Sequence, residues 1–338
     1  MSWETKIKKY SGINLSSDNE KSIELRKKIL DLTEEYFSLV HYHKKFKPNE
    51  TFISASGKYL TKEDLLNLVD SSLDLWLTHG RFTEKFEKKL SSKFGSKLAS
   101  STVSGSSANL LAFTALTSEH FGENKIKDGD EVITVAAGFP TTVAPIIHNR
   151  CVPVYLDVEL ETANIDVKYL KKAITKKTKA VMIAHTLGNP FNLEEVKKFC
   201  DENNLFLIED CCDAFGSKFD NQTVGSFGIF SSLSFYPAHH ITTGEGGAVL
   251  YNNIKLKRVV ESFRDWGRDC WCSTGMNNTC GKRYSWELGN LPKGYDHKFV
   301  FSNVGYNMKM TDMQGALGLS QLDKVDFFIK KRKKIFIV

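Results

Sequence analysis

The sequence predicts an α/β fold, with a mainly parallel central sheet flanked by helices. Three observations predict it. The chain has 338 residues, 41% hydrophobic and 12% aromatic, which allows a large buried core and excludes a disordered chain. From about residue 100, short β-rich runs alternate with helical stretches, which demands crossover connections and parallel strands. Carboxylates, histidines and Gly/Ser turns lie just beyond the ends of these runs, at the strand edge where such sheets bind ligands.

Along the chain, residues 20–47 read as a charged amphipathic helix. Ile23, Ile29, Leu30, Leu32, Tyr36 and Phe37 sit among Lys and Glu, and Pro48 ends it. Residues 61–79 and 82–95 read as two more helices, joined at His79-Gly80-Arg81. Strands are expected at Glu131–Val135, Val152–Leu156, Lys179–Ala184, Leu205–Glu209, Phe230–Phe235 and Gly247–Tyr251. Helices are expected between them, at 106–121, 166–175 and 192–203. Residues 265–297, rich in Gly, Asn and Cys with little apolar periodicity, read as a long functional loop. A helical stretch from Thr311 to about Lys334 closes the sequence.

The net charge is +6, much of it from Lys330, Lys331, Arg332, Lys333 and Lys334. A polyanion binder needs a larger, clustered excess, so no nucleic-acid partner is expected, whereas an anionic small molecule is compatible. No run approaches the ~20 apolar residues of a membrane span, and the polar start lacks a leader's apolar core. A cytoplasmic protein with reduced thiols is therefore expected. The seven cysteines are an odd set, and conspicuous ones in that setting read as metal ligands or catalysts.

Four segments carry chemistry. Ser104-Gly105-Ser106-Ser107-Ala108-Asn109 opens a helix with free N–H groups suited to a phosphate, though the same residues make an ordinary N-cap and tight turn. Leu207-Ile208-Glu209-Asp210-Cys211-Cys212-Asp213 ends an apolar strand in carboxylates, which reads as a site or as an exposed acidic strand end. Ser234-Phe235-Tyr236-Pro237-Ala238-His239-His240 runs from a strand into a turn with two histidines, of which at most one faces a given site. Cys270, Cys272 and Cys280 cluster in the long loop and read as ligands of a metal or cluster. The fourth thiolate would be Cys151, Cys200, Cys211 or Cys212; zinc is the default, an iron–sulfur cluster the alternative.

Together these segments resemble the pyridoxal-phosphate-dependent sugar aminotransferases of the DegT/DnrJ/EryC family, over about residues 50–335. The resemblance includes Leu77-Thr78-His79-Gly80-Arg81-Phe82-Thr83, Gly105-Ser106-Ser107, Glu209-Asp210, Ser234-Phe235-Tyr236-Pro237 and the run from Gly305 to Asp312. It implies the type I, aspartate-aminotransferase-like fold and a homodimer. It also implies three parts: an N-terminal helical segment (1–50), a large cofactor-binding domain (51–320), and the start of a truncated C-terminal small domain (321–338). Two departures narrow it. Where the family carries the lysine that bonds to the cofactor, this sequence has His239, and no lysine lies between Lys218 and Lys255. The cysteine set, with Cys212 as the fourth ligand, is similar to the [2Fe-2S] pattern of one subfamily. Its members dehydrate CDP-4-keto-6-deoxy-D-glucose at C3 in 3,6-dideoxyhexose and O-antigen biosynthesis.

That resemblance assigns roles. Histidine lacks the primary amine with which lysine bonds to an aldehyde, so the cofactor is expected to be held non-covalently as pyridoxamine 5'-phosphate (PMP). His239 would take a proton from the cofactor's C4′ and assist loss of the C3 hydroxyl. Asp210 would hold the ring nitrogen protonated. Gly105, Ser106 and Ser234 would hold the phosphate, and Phe139 would stack on the ring. Asp213 and Tyr236 would lie near the cofactor, and Asn307 would reach the phosphate of a neighbouring subunit. Cys212, Cys270, Cys272 and Cys280 would carry the cluster, and Cys151, Cys200 and Cys211 would be small buried hydrophobes. The sequence has no G-x-G-x-x-G fingerprint after a strand, so electrons would come from a separate NADH-dependent flavin reductase. Two other readings remain at this point: a cluster-free 3-dehydratase of a GDP-linked sugar, and an inactive relative with a zinc-stabilised loop.

Overall fold

The computed structural model describes residues 20–41, 46–54 and 56–336. Its helices are α1 (Glu20–Val40), α2 (Lys62–Leu73), α3 (Arg81–Phe94), α4 (Gly105–Ala115), α5 (Pro140–His148), α6 (Leu170–Ala173), α7 (Leu193–Glu202), α8 (Lys255–Arg264) and α9 (Asp312–Phe336). Its main strands are β1 (Leu98–Thr102), β2 (Glu131–Val135), β3 (Val152–Leu156), β4 (Thr178–Ala184), β5 (Phe206–Asp210), β8 (Phe230–Ser234) and β9 (Gly247–Tyr251). A two-stranded ribbon, β6 (Lys218–Phe219) and β7 (Gln222–Thr223), lies apart.

The seven main strands run in the order β1-β9-β8-β5-β4-β2-β3. Only β9 is antiparallel to its neighbours; the pairs from β8 through β5, β4 and β2 to β3 are parallel. The expected mainly parallel sheet is therefore present. Its central strands are apolar without interruption because both faces are covered. Along β4, Val181 and Ile183 enter one core while Ala180 and Met182 enter the other, as a period of two dictates. The first core takes Phe86 and Leu90 of α3, Val196 of α7 and Leu322 of α9; the second takes Leu111 of α4, Ile146 of α5 and Val260 of α8.

Several expectations need correction. The first helix ends at Val40 rather than 47; residues 1–19 and 42–45 of the N-terminal segment lie outside the described ones. The helix expected to reach residue 79 stops at Leu73. The stretch 166–175 holds only one 3-10 turn and the four-residue α6. The expectation of 106–121 shortens to α4, followed by a separate 3-10 segment. The boundary at 320/321 falls inside α9, which is one continuous helix, buried on one side as far as Val325 and exposed from residue 330. Residues 265–297 hold no regular helix or strand but are pinned. Arg283 donates to both oxygens of Asp296 (2.8 and 2.6 Å), His297 pairs with Asp269, and Trp271, Trp286 and His297 pack together.

A long-range contact ties two family-like segments together. Asp312, 1% exposed, accepts from the backbone N–H groups of Gly80 (3.1 Å), Phe82 (3.1 Å) and Thr83 (2.8 Å) and from the Thr83 hydroxyl (2.9 Å). It thus caps α3, whose own N-cap, Gly80, has no side chain to do so.

Candidate active site

The site forms where β1, β8, β5 and β4 end. Ser104 caps α4: its hydroxyl accepts from Ser107 N–H (3.1 Å). The N–H groups of Gly105 and Ser106 fall in the first helical turn, where the helix itself offers no acceptor. Gly105 must be glycine. A Cβ there would collide with Ser234, 2.7 Å from its Oγ and 3.1 Å from its Cα. The helix start and the end of β8 are thereby packed backbone to side chain, and Ser106 Oγ reaches Thr141 at 3.1 Å.

Asp210 ends β5, 4% exposed. One carboxylate oxygen accepts from Asn109 (2.8 Å) and Thr142 (2.7 Å), and the other from Cys212 N–H (3.1 Å). Asn109 is held in turn by the Ser232 hydroxyl (2.6 Å). Asn109 and Thr142 received no role from the sequence. The available signal was a polar residue on the otherwise apolar, buried face of α4. The neighbouring carboxylate does not join the site. Glu209 is fully buried and accepts from Gly225 N–H (2.7 Å), Phe227 N–H (2.8 Å) and Gly228 N–H (2.6 Å) while pairing with His185 (3.1 Å). It clamps the loop before β8.

His239 sits on the turn after β8, with its N–H bonded to Tyr236 O (2.9 Å). Its Nδ1 lies 3.1 Å from Asp213 Oδ1. The hydrogen bond from His239 holds the Asp213 carboxyl below the usual carboxylate range. The next residue behaves differently: burial, with Arg332 and Lys58 nearby, pushes His240 down to about 4, so it stays neutral. Behind the turn, Lys58 and Arg332 donate to the carbonyl of His239. Burial, then the Arg332 charge, pushes Lys58 down to about 8.

One cavity of about 660 Å³ collects most of the expected residues. Gly105, Ser106, Phe139, Asp210, Cys212, Asp213, Ser234, Tyr236 and His239 all line it. Phe139 is 68% exposed, so it is a wall of the site and not core. Asn307 stands apart: it is exposed and its backbone bridges to Asp265.

The cysteines divide. Cys151, Cys200 and Cys211 are buried, and burial pushes the first two thiols up to about 11 and 12. Cys212 opens on the cavity that holds His239, whereas Cys270 and Cys272 line a second cleft, beside Arg258 and Arg268. Cys272 Sγ accepts from Thr279 N–H and Cys280 Sγ from Lys282 N–H, both at 3.4 Å. Burial pushes Cys272 up, but hydrogen bonds from Thr279 and Cys270 and the Lys298 charge outweigh it and hold its thiol low. Sulfurs around one tetrahedral zinc stand about 3.8 Å apart. Among the described residues, no three of these four come within 4.8 Å of one another. A preformed zinc loop is therefore absent from the described residues.

Known proteins place this geometry. Residues 59–338 match the DegT/DnrJ/EryC1/StrS aminotransferase family. The chain is 54% identical over 312 residues to the lipopolysaccharide biosynthesis protein RfbH of Salmonella typhimurium, covering 92% of this chain and 71% of that protein. It is 49% identical over 302 residues to the dTDP-4-dehydro-2,6-dideoxy-D-glucose 3-dehydratase of Saccharopolyspora spinosa, covering 88% and 65%. Among solved structures, E. coli GDP-4-keto-6-deoxy-D-mannose-3-dehydratase with bound hydrated PLP superposes with a TM-score of 0.72 at 30% identity, covering 82% of this chain and 69% of that one. A match that runs from residue 59 to the last residue, on the same sheet architecture, settles the kinship: this chain belongs to the DegT/DnrJ/EryC1/StrS aminotransferase family and has its type I, PLP-dependent fold.

Proposed function

We propose that this chain is a C3 dehydrase of a nucleotide-linked 4-keto-6-deoxyhexose, using PMP held without a covalent bond. The observation that carries the reading is His239, paired with Asp213, facing the cavity that ends at Asp210. The residues fit such a cofactor. The cradle at Gly105 excludes a side chain and presents N–H groups for a phosphate. The buried, triply hydrogen-bonded Asp210 suits a protonated ring nitrogen. PMP, when bound, supplies an amine for the 4-keto carbon and a protonated ring as electron sink.

The chain's own groups do the rest. Gly105, Ser106 and Ser234 bind the phosphate. Asp210 holds the ring proton, and Asn109 and Thr142 fix Asp210. Phe139 and Tyr236 flank the ring and exclude water. Asp213 holds Nδ1 of His239, which leaves Nε2 to take the C4′ proton and to protonate the departing C3 oxygen. Asn307 serves the phosphate of a second copy in a homodimer.

The finer reading is a cytoplasmic CDP-4-keto-6-deoxy-D-glucose 3-dehydrase with a [2Fe-2S] cluster on Cys212, Cys270, Cys272 and Cys280 and a separate NADH-dependent flavin reductase. Its support is the number and spacing of these cysteines and the thiol hydrogen bond between Cys270 and Cys272. In the single chain the four sulfurs are not gathered, and no step of the dehydration passes through them. That division favours one second reading, a dehydratase without a cluster.

Two experiments test the proposal. Loss of deuterium from C4′-labelled PMP is measured with CDP- and GDP-linked 4-keto-6-deoxyhexoses; no loss with either refutes dehydration. Iron and sulfide are assayed after anaerobic reconstitution. About two of each per chain supports the cluster, which Cys270→Ser should abolish while sparing dehydration. None supports the cluster-free reading.

A further inference from the structure

Helix α1 has two apolar faces, and only one has a partner within the chain. On the first, Ile23, Leu30 and Phe37 are half-buried. Arg26 locks this face to α2 through Asp70 and Asp74 (2.7 Å each). The second face is Leu25, Ile29, Leu32, Tyr36 and Leu39, all between 40% and 72% exposed. No residue of α1 is buried. These five are spaced alternately four and three apart, the narrow seam of a two-helix coiled coil. A lone helix does not maintain such a stripe against water without reason.

We propose that this seam pairs with the same seam of a second copy, antiparallel about a two-fold axis. The proposal rests on the homodimer of the proposed function and names one face of it. A two-fold contact must be self-complementary, and the flanking charges are. With Ile29 against the partner's Leu32, and Leu25 against the partner's Tyr36, Lys28 meets the partner's Glu35 on the side away from α2. By symmetry the pair forms twice. A parallel pairing sets Lys21 against the partner's Arg26 and offers Lys28 only a threonine. Within its own chain Lys28 has one exposed pairing, with Glu24 at 2.6 Å, a contact of little worth that it can exchange. Five side chains make less than the ~800 Å² per partner of a standard interface, so α1 adds to a larger contact.

The test uses the whole chain. A photo-crosslinking benzoylphenylalanine replaces Leu32, and light- and heavy-nitrogen copies are mixed before irradiation. Mixed-isotope crosslinks from position 32 to residues 25–36 are expected. In sedimentation, Leu32→Asp should raise the dimer Kd by at least ~10-fold. Lys28→Glu should raise it roughly 3- to 10-fold at low salt, and adding Glu35→Lys should restore it. Leu32 is exposed, so neither variant threatens folding. Crosslinks only within one copy, to residues 1–19 or 46–60, overturn the proposal. So does an unchanged Kd in Leu32→Asp, which leaves the homodimer standing on another face. A monomer at all concentrations overturns both.

Discussion

Replacing Gly105 with alanine should damage cofactor binding far more than folding. The added Cβ would stand 2.7 Å from Ser234 Oγ and 3.1 Å from Ser234 Cα, against 3.4 Å or more for an ordinary contact. The hydroxyl can rotate away, but Cα belongs to β8 and cannot. Relief therefore requires the start of α4 to move several tenths of an ångström away from β8. Such overpacking costs about 1–3 kcal/mol, or about 1–4 °C in Tm for a chain of this size. The same shift pulls the Gly105 and Ser106 N–H groups off the phosphate. Losing one hydrogen bond to a charged group is about 1.5–3 kcal/mol, which is roughly 10- to 150-fold in the Kd for PMP. Titration of the apoprotein followed by PMP absorbance measures it directly. A second background supplies the rescue: in Ser234→Gly the colliding side-chain atoms are gone, so Gly105→Ala should cost little there. Wild-type affinity in Gly105→Ala, or an equal cost in both backgrounds, refutes the cradle.

Other outcomes rest on the same structure. His239→Asn should bind PMP within about threefold of wild type yet lose C4′ proton exchange by a factor on the order of 10²–10⁴, read by deuterium washout. Asp312→Ala strands buried N–H groups at the start of α3 and should cost about 2–4 kcal/mol in urea unfolding, with PMP affinity unchanged in the folded protein. Burial would push the Glu87 carboxyl up, but His79, Arg264 and Ser101 N–H overcome it and hold it down to about 2. A carboxyl lowered in the folded state stabilises above its unfolded value, so stability on the order of 3 kcal/mol should drain away between about pH 5 and pH 2. Glu87→Gln should flatten that slope in unfolding measured across the window.

What the sequence revealed depended on how local the cause was. The parallel strands were legible because both faces are buried, which leaves uninterrupted apolar runs such as Ala180–Ile183. Strand β1 was not: Leu98-Ala99-Ser100-Ser101-Thr102 is mostly hydroxyl residues, and its place is set by pairing with β9. Helix α5 hid behind Pro140 and Pro145, although Pro140 stands in its first turn, where proline is welcome. Helix α8 did carry its signal, with Leu256, Val259, Val260 and Phe263 at helical spacing. At the site, the resemblance supplied His239, Asp210 and the Gly105 turn, and the fold brought them to one cavity. The residues that support these were illegible because their causes are distant. Asn109 and Thr142 meet Asp210 only through the sheet, and Asp312 caps a helix more than two hundred residues earlier.

The central claim is that this chain holds a vitamin B6 cofactor without bonding to it. It is tested by incubating the protein with pyridoxal phosphate, reducing with borohydride and weighing the intact chain. Wild type should keep its unmodified mass, and His239→Lys should gain one reduced pyridoxyl phosphate. An adduct on the wild-type protein would contradict the account. Lys58, hydrogen-bonded to the carbonyl of His239 and held near a pKa of about 8, is the residue on which to look for it.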